Sequence, residues 1–358
     1  MKNILIFRTD RLGDFIIHSR PIYELKKKFA DSKIIIICSK LNSKILDKVD
    51  YIDERIIYDQ NFSIFKKISI LIKLIKIKYY AVFILDGKKF SLFCNMFLKS
   101  SHKFGFAYKY QKSLFNNLFI YFKPNKLYRN IFFDKISYFT SRKYLKNTDS
   151  LCQKYLNLFN FFDLKLTIND NYIFQTNDKS QNKFNKLKKD YNIDEYLLIH
   201  FDEKWLDITS NHEDLIKNII QLQERLKKKI ILTGYKNNFE YYSYLKKSFS
   251  LIDMSNEKTI LKNNSNILIL DNLDIYIFER LIKNSILNIS CHSGFVVQVC
   301  GANNGKILDI IHERDLKWYK CWVPAMIFHQ ITLKSTIKNG LRNLELIFDD
   351  ILQTAKKL

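Results

Sequence analysis

The sequence predicts an α/β protein of two Rossmann-like halves with a cleft between them. Short apolar runs alternate with amphipathic stretches from Ile4 to Leu98, the pattern of βαβ units on a parallel sheet. The alternation fades in an aromatic-rich middle and resumes at Tyr196. A length of 358 residues leaves room for about two domains.

The elements follow in order. Ile4–Phe7 is an unbroken apolar run, which suits a central strand covered on both faces. A charged turn comes next, which Gly13 lets be sharp, and Asp14 sits where the helix Phe15–Phe29 begins. Strands at Ile34–Cys38, Arg55–Tyr58 and Ala81–Leu85 alternate with helices at Ser43–Lys48, Ile64–Lys76 and Phe90–Leu98. The apolar residues of Ile64–Lys76 have helical spacing with lysines between them. One face is expected to pack on the sheet, and the basic face could also rest on anionic lipid headgroups. Leu114 to Phe162 is expected to be mostly helical after Arg129, and Thr167 to Gln181 to be a linker.

In the second half, strands are expected at Tyr196–Phe201, Lys229–Thr233, Asn266–Leu270, Ile286–Ser290 and Lys306–Ile311. Helices are expected at Glu213–Leu226, Asp274–Lys283, just after Gly294, and at Leu341–Ala355. The expected division is residues 1–170, residues 171–340 and a terminal helical segment, 341–358.

The formal net charge is +23, but Lys, Ile, Asn and Phe dominate and Gly and Pro are scarce, so much of it reflects compositional bias. The charge favours anionic ligands: sugar nucleotides, nucleic acid or an acidic membrane face. No aromatic RNP strand or Cys/His finger accompanies it, so no specific nucleic-acid partner is expected. The six cysteines are scattered and form no C-x-x-C pair, which argues against a zinc site or a disulfide framework and fits a reducing cytoplasm. Charge interrupts the first apolar run, so no signal peptide is expected, and lysines break up Ile64–Leu85 before it could span a membrane.

Four constellations could carry chemistry. Arg8, Asp10, Arg11 and Asp14 crowd the carboxyl edge of the first strand, where open α/β folds keep their active sites. Asp14 reads either as a helix cap or as a general base, and its neighbours either as a ligand-binding cluster or as surface ion pairs. The turn His292-Ser293-Gly294 offers backbone N–H groups and a hydroxyl to a phosphate, or is a plain turn. Lys204 follows another strand and could neutralise a phosphate or simply be solvated. Thr233-Gly234 closes a strand and could approach a ligand with its backbone, or serve only as a turn.

Together these pieces resemble glycosyltransferase family 9, which contains the lipopolysaccharide heptosyltransferases. RTDRLGDFIIHSRPIYELKKKF looks like the family's opening R-x-D-x-x-G-D-x-x-x-x-x-P-x-x-x-x-L-(K/R) pattern, with Arg8, Asp10, Gly13, Asp14, Pro21 and Leu25 in register. YAVFILDGKKFSLFCNMFLKSSHKFGF is similar to its strand, "DLQG"-like turn, helix and "IGF" segment, and Leu270–Gly294 to its "L-x-E-L-A…D-S-G" region. The resemblance covers most of the chain but is poor between about Asn116 and Asp190.

The resemblance implies a GT-B fold, with an acceptor-binding first domain and a second domain that binds the nucleotide sugar. It also implies inverting sugar transfer without a metal or cofactor, in lipopolysaccharide or other cell-surface glycan synthesis. Asp14 falls on the catalytic aspartate and Arg8, Asp10 and Arg11 on acceptor-side residues. Lys204 falls on the phosphate-contacting lysine, and His292, Ser293 and Gly294 on the D-S-G turn. The family donor is ADP-heptose. His292 replaces the family's aspartate and Val297 its histidine, which reads as a changed donor. The expected partners are a nucleotide sugar and a lipid-linked or acidic glycan acceptor, in the cytoplasm with peripheral contact at the inner membrane. The alternatives are a GT-B protein that binds a nucleotide or glycan without transfer, and a nucleic-acid-binding protein supported only by charge.

Overall fold

Ile4 to Phe7 have no solvent exposure, as an unbroken apolar run requires of a central strand. The computed structural model describes every residue except 47–48, 110–131, 141–149, 168–177, 209–210, 235–239, 256–257, 263–264 and 325–326. The chain divides into two units, Met1–Gln175 with Lys320–Trp322 and Thr176–Tyr319 with Val323–Leu358.

The first unit holds strands β1 (Asn3–Arg8), β2 (Lys33–Cys38), β3 (Glu54–Ile57), β4 (Lys78–Ile84), β5 (Lys99–Lys109) and β6 (Lys135–Thr140). They lie in the order β3-β2-β1-β4-β5-β6 and every pairing is parallel. Strand order reverses direction between β1 and β4, so the crevice at their carboxyl ends is where such a sheet takes its ligands. The first helix, Leu12–Lys28, starts earlier than the glycine suggested, with Arg11 as its N-cap. Gly13 and Asp14 therefore lie inside the first helical turn, and the chain reverses over Thr9 to Arg11 instead.

Two expectations for the middle are corrected. Residues 110–131 and 141–149 lie outside the described residues, but between them Lys135–Thr140 is a strand, not a helix. Ile136, Tyr138 and Phe139 are β-formers, and the segment extends the sheet beside β5. Among the described residues, the helix expected there runs over Leu151–Phe159. Of the expected linker, 168–177 lies outside the described residues, and its end belongs to the helix Asp178–Tyr191.

The second unit holds β7 (Tyr196–Phe201), β8 (Lys229–Gly234), β9 (Ser250–Asp253), β10 (Lys258–Ile260), β11 (Ile267–Asp271), β12 (Leu287–Ser290), β13 (Lys306–His312), β14 (Phe328–Thr336) and β15 (Gly340–Leu341). Their order is β10-β9-β11-β8-β7-β12-β13-β14-β15, parallel from β9 to β14, with antiparallel β10 and β15 at the edges. Here the switch point falls between β7 and β12. β9, β10, β14, β15 and the helices Glu240–Ser248 and Leu316–Lys320 were not expected, and Leu341, expected to open the terminal helix, lies in β15. Of these, β14 is only half-buried along most of its length, so it carries no continuous apolar run. The terminal helix Leu344–Lys356 buries Ile347, Phe348 and Ile351 in this unit's core. Among the described residues no helix is long and apolar enough to cross a membrane.

Candidate functional site

The switch point of the first sheet is built around Arg8. β1 ends there, and its side chain is fully buried. Its guanidinium donates from Nε to the Asp14 carbonyl (3.0 Å) and from Nη1 to the Leu85 carbonyl at the end of β4 (2.7 Å) and to the Tyr155 hydroxyl (3.3 Å). One cation thus ties the ends of both switch-point strands to a helix start. Its charge meets Asp10 at 3.1 Å and Asp14 at 3.7 Å. A second tie crosses the same crevice: Asp86 accepts from the Thr9 and Ser91 hydroxyls (2.6 and 2.8 Å), and Lys88 Nζ donates to the Thr9 carbonyl (2.9 Å).

The helix start holds Asp14 directly. Its Oδ2 accepts the Arg11 backbone N–H at 3.3 Å, while its side chain stays 22% exposed. Asp14 is therefore both an N3 capping residue and an accessible carboxylate, so the two readings are compatible. Arg11 itself is exposed. Below the site, His18 Nδ1 bonds the Asp14 carbonyl at 2.8 Å, and its ring meets Tyr155 edge-on. Burial and the neighbouring Arg8 push His18 well below its ordinary pKa, so the ring is neutral and Nδ1–H is the donor. Asp86, Lys88, His18 and Tyr155 all serve this site, and the sequence analysis assigned none of them a role.

Burial pushes the Asp10 carboxyl up to about 7, with Asp14 and Asp86 adding to the rise and Arg8 and Lys88 opposing it. A carboxyl whose folded pKa is raised stabilises the fold while protonated. That contribution is complete below the unfolded value of about 3.9 and is lost as pH rises through about 7. Asp10→Asn should therefore remove the loss of stability that the parent shows as pH rises from about 4 to about 8. Urea unfolding across that range checks it, and the gap between variant and parent should widen with pH.

In the second unit, the β7 and β12 ends form the other switch point, with His200 beside Ser290 in register. Lys204 Nζ donates to the His292 carbonyl at 2.5 Å, so the two predicted residues meet. His292 has a left-handed backbone (φ 53°), its ring stacks on Tyr319 at 3.8 Å, and its Nδ1 lies 2.5 Å from Asp309 Oδ2. The same oxygen bonds His329 Nε2 at 3.1 Å. Burial would raise the Asp309 carboxyl, but His292 and His329 outweigh it and hold it below the ordinary carboxylate range. Asp309 and Ser290 have no exposure. Ser293 N-caps the helix Gly294–Ala302; its own N–H donates to Ser290 Oγ at 3.2 Å, and Gly294 is exposed. Val297 is buried inside that helix.

Thr233 and Gly234 have packing partners of their own. Thr233 Oγ1 lies 3.0 Å from His200 Nδ1, and burial together with Lys204 pushes His200 down to about 3, so its ring is neutral. A Cβ on Gly234 would meet the Tyr242 ring at 2.6 Å, so glycine is needed there for close approach. Lys334, also missed from sequence, is buried and donates to the Lys204 carbonyl (2.7 Å) and to Asp207 (3.0 Å), bracing the Lys204 loop. Among the described residues no group of three or more His, Cys, Asp or Glu side chains is set to hold a metal ion.

Neither a family model nor a curated protein matches the sequence. Solved structures do match. A glycosyl transferase family 9 protein from Veillonella parvula superposes with a TM-score of 0.67 at 14% identity, covering 99% of this chain and 96% of that one. The E. coli heptosyltransferase WaaC, solved with ADP, gives 0.63 at 13% identity and covers 99% of both chains. The E. coli ADP-heptose lps heptosyltransferase II gives 0.62 at 12% identity over 100% and 98%. The chain has the GT-B fold of these glycosyltransferases, two Rossmann-like units, each with its own switch point.

Proposed function

We propose that the protein is an inverting glycosyltransferase. It moves a heptose or related sugar from a nucleotide-diphosphate donor to a lipopolysaccharide-core or other cell-surface glycan. The observation that carries this reading is Asp14, an accessible carboxylate at the switch point of a heptosyltransferase-like fold, fixed by a buried arginine. Asp14 takes the proton from an acceptor hydroxyl as that oxygen attacks the anomeric carbon, and the nucleotide diphosphate leaves from the opposite face. Arg11, which is exposed, orients an acidic, lipid-linked acceptor, whereas Arg8, expected on the acceptor side, is fully buried and acts only by holding the Asp14 turn. No metal or cofactor takes part in this scheme.

The diphosphate gathers negative charge as it leaves. Lys204, the helix start at Ser293–Gly294 and the His292 ring are the groups that stabilise it. Thr233 and Gly234 border the same strand edge. His292 stands where the resemblance expects aspartate, so the donor in this reading differs from ADP-heptose. The protein works in the cytoplasm beside the inner membrane, where a lipid-linked acceptor is presented.

A screen of sugar nucleotides by thermal shift tests the reading, because a ligand bound to the native state raises its stability by mass action. At a hundred times its Kd the true donor adds about 2.7 kcal/mol, a shift of several degrees. A shift without glycoside formation from any acceptor offered would instead favour a protein that binds a nucleotide or glycan without transfer. The locked His292 ring is the feature that favours that second reading. If no sugar nucleotide shifts the transition, the transfer reading fails, and if no free nucleotide or glycan shifts it either, the second reading fails with it.

A further inference from the structure

We propose that the outer face of the helix Ile64–Ile75, together with the exposed end of the helix Lys89–Phe97, docks onto an anionic lipid bilayer. The inference goes beyond the transfer reading, since lipid binding needs neither Asp14 nor a nucleotide sugar.

The helix Ile64–Ile75 is apolar on two sides. Ser63 caps it, and only Ile70 and Leu74 are buried against the sheet. On the opposite side, Phe65, Ile68, Ile72 and Ile75 follow the i, i+3, i+7, i+10 spacing of a single stripe. They are 80, 44, 45 and 37% exposed. Core packing therefore accounts for only part of the apolar pattern. Phe93 and Phe97, each 50% exposed with rings 5.1 Å apart, give the helix Lys89–Phe97 a second exposed apolar pair. Both helices bury their inner residues, Ile70, Leu74 and Cys94, in the same core cluster, so both lie on one face of the sheet. Among the described residues no other helix exposes as many large apolar side chains. An exposed apolar stripe of this kind marks an interaction surface.

Charge identifies the occupant. Between Asp59 and Asp134 the sequence has one acidic residue, Asp86, although at the chain-wide frequency of 36 in 358 such a stretch would carry about seven. Asp86 is buried and engaged with Thr9 and Ser91. Compositional bias toward lysine does not explain so complete a loss of acids. Lys73 is paired with Glu54 and Lys67 bonds the Gln60 carbonyl. Lys66 and Lys76 are exposed beside the stripe. An apolar stripe edged by lysines, on a helix with no acidic residue, has the form of an interfacial helix. Its Phe and Ile side chains enter the headgroup boundary while the lysines hold anionic headgroups.

Flotation of the full chain with vesicles tests this, using phosphatidylcholine alone and phosphatidylcholine containing roughly one-third phosphatidylglycerol. The protein should float with the anionic vesicles only, and less at high salt. Phe65→Ser with Ile72→Ser should lower the partition coefficient by about tenfold or more, with an unchanged melting temperature. Lys66→Glu with Lys76→Glu should lower it by at least about 25-fold, since each lysine near such a surface contributes about fivefold. The proposal is overturned if the parent protein does not float, or if the serine variant binds like the parent. It is equally overturned if the parent forms a dimer that the serine substitutions dissolve, because the face would then be a contact between copies. Should the double serine variant not fold, Phe65→Ser alone decides by the same criteria.

Discussion

Asp14→Asn is expected to lower the rate of sugar transfer by about 10²–10⁴-fold while leaving donor binding and folding nearly unchanged, the range that a positioned general base contributes. The substitution keeps the shape and removes the basic oxygen pair. The amide oxygen of Asn can still accept the Arg11 backbone N–H, so the helix cap survives. Arg8 keeps its bonds to three oxygens that do not belong to the Asp14 carboxylate: the Asp14 and Leu85 carbonyls and the Tyr155 hydroxyl. What the variant loses is one charge contact at 3.7 Å, on a side chain partly in water, so the stability cost stays below about 1 kcal/mol. Initial rates with the donor found by thermal shift give the first number, and the shift itself on the variant gives the second. Turnover near that of the parent would remove Asp14 from the chemistry and leave it a helix cap.

The strand-and-turn pattern made both switch points visible in the sequence. β1 is nearly continuous in apolar residues, and Arg8 to Asp14 packs more charge than a turn requires. His292-Ser293-Gly294 was visible for the same reason, a short polar turn between an apolar strand and a helix. The long-range partners were not visible. Tyr155 reaches Arg8 across 147 positions, and Lys334 reaches the Lys204 carbonyl across 130. No local periodicity encodes such pairs. Gly13 misled because a glycine after charged residues reads as a turn, whereas the helix already begins at Leu12. Asp309 did leave a signal: it is a lone acid inside the buried run Ile307 to Ile311, and a carboxylate is kept in such a place only when it has partners. The pattern of Ile64 to Ile75 was read correctly as amphipathic, yet periodicity alone could not show that Phe65 and Ile72 face away from the sheet.

Asp309→Asn is expected to destabilise the second unit by about 3 kcal/mol at neutral pH, the lower part of the range for removing one partner of a buried pair. The lower part applies because an imidazole left behind can stay neutral, whereas an orphaned guanidinium could not. The sign of the pH dependence follows from the depressed folded pKa of Asp309. Its stabilisation is present above the unfolded value of about 3.9 and is lost as pH falls below it. The gap between parent and variant should thus be full at about pH 7 and shrink in acid, with the variant the less stable of the two, whereas Asp10→Asn leaves the variant the more stable. Asp309 also fixes the His292 ring through Nδ1, and the His292 carbonyl in turn holds Lys204. Donor affinity should therefore fall together with stability, by about tenfold, the size of a lost charge-assisted hydrogen bond. His329→Gln removes only the longer contact at 3.1 Å, so it should cost less on both counts. Urea unfolding at pH 3 to 8 and donor titration of the two variants measure these effects. Equal losses in the two variants would mean that His292 is not held by Asp309, and that the donor wall owes its shape to the Tyr319 stack alone.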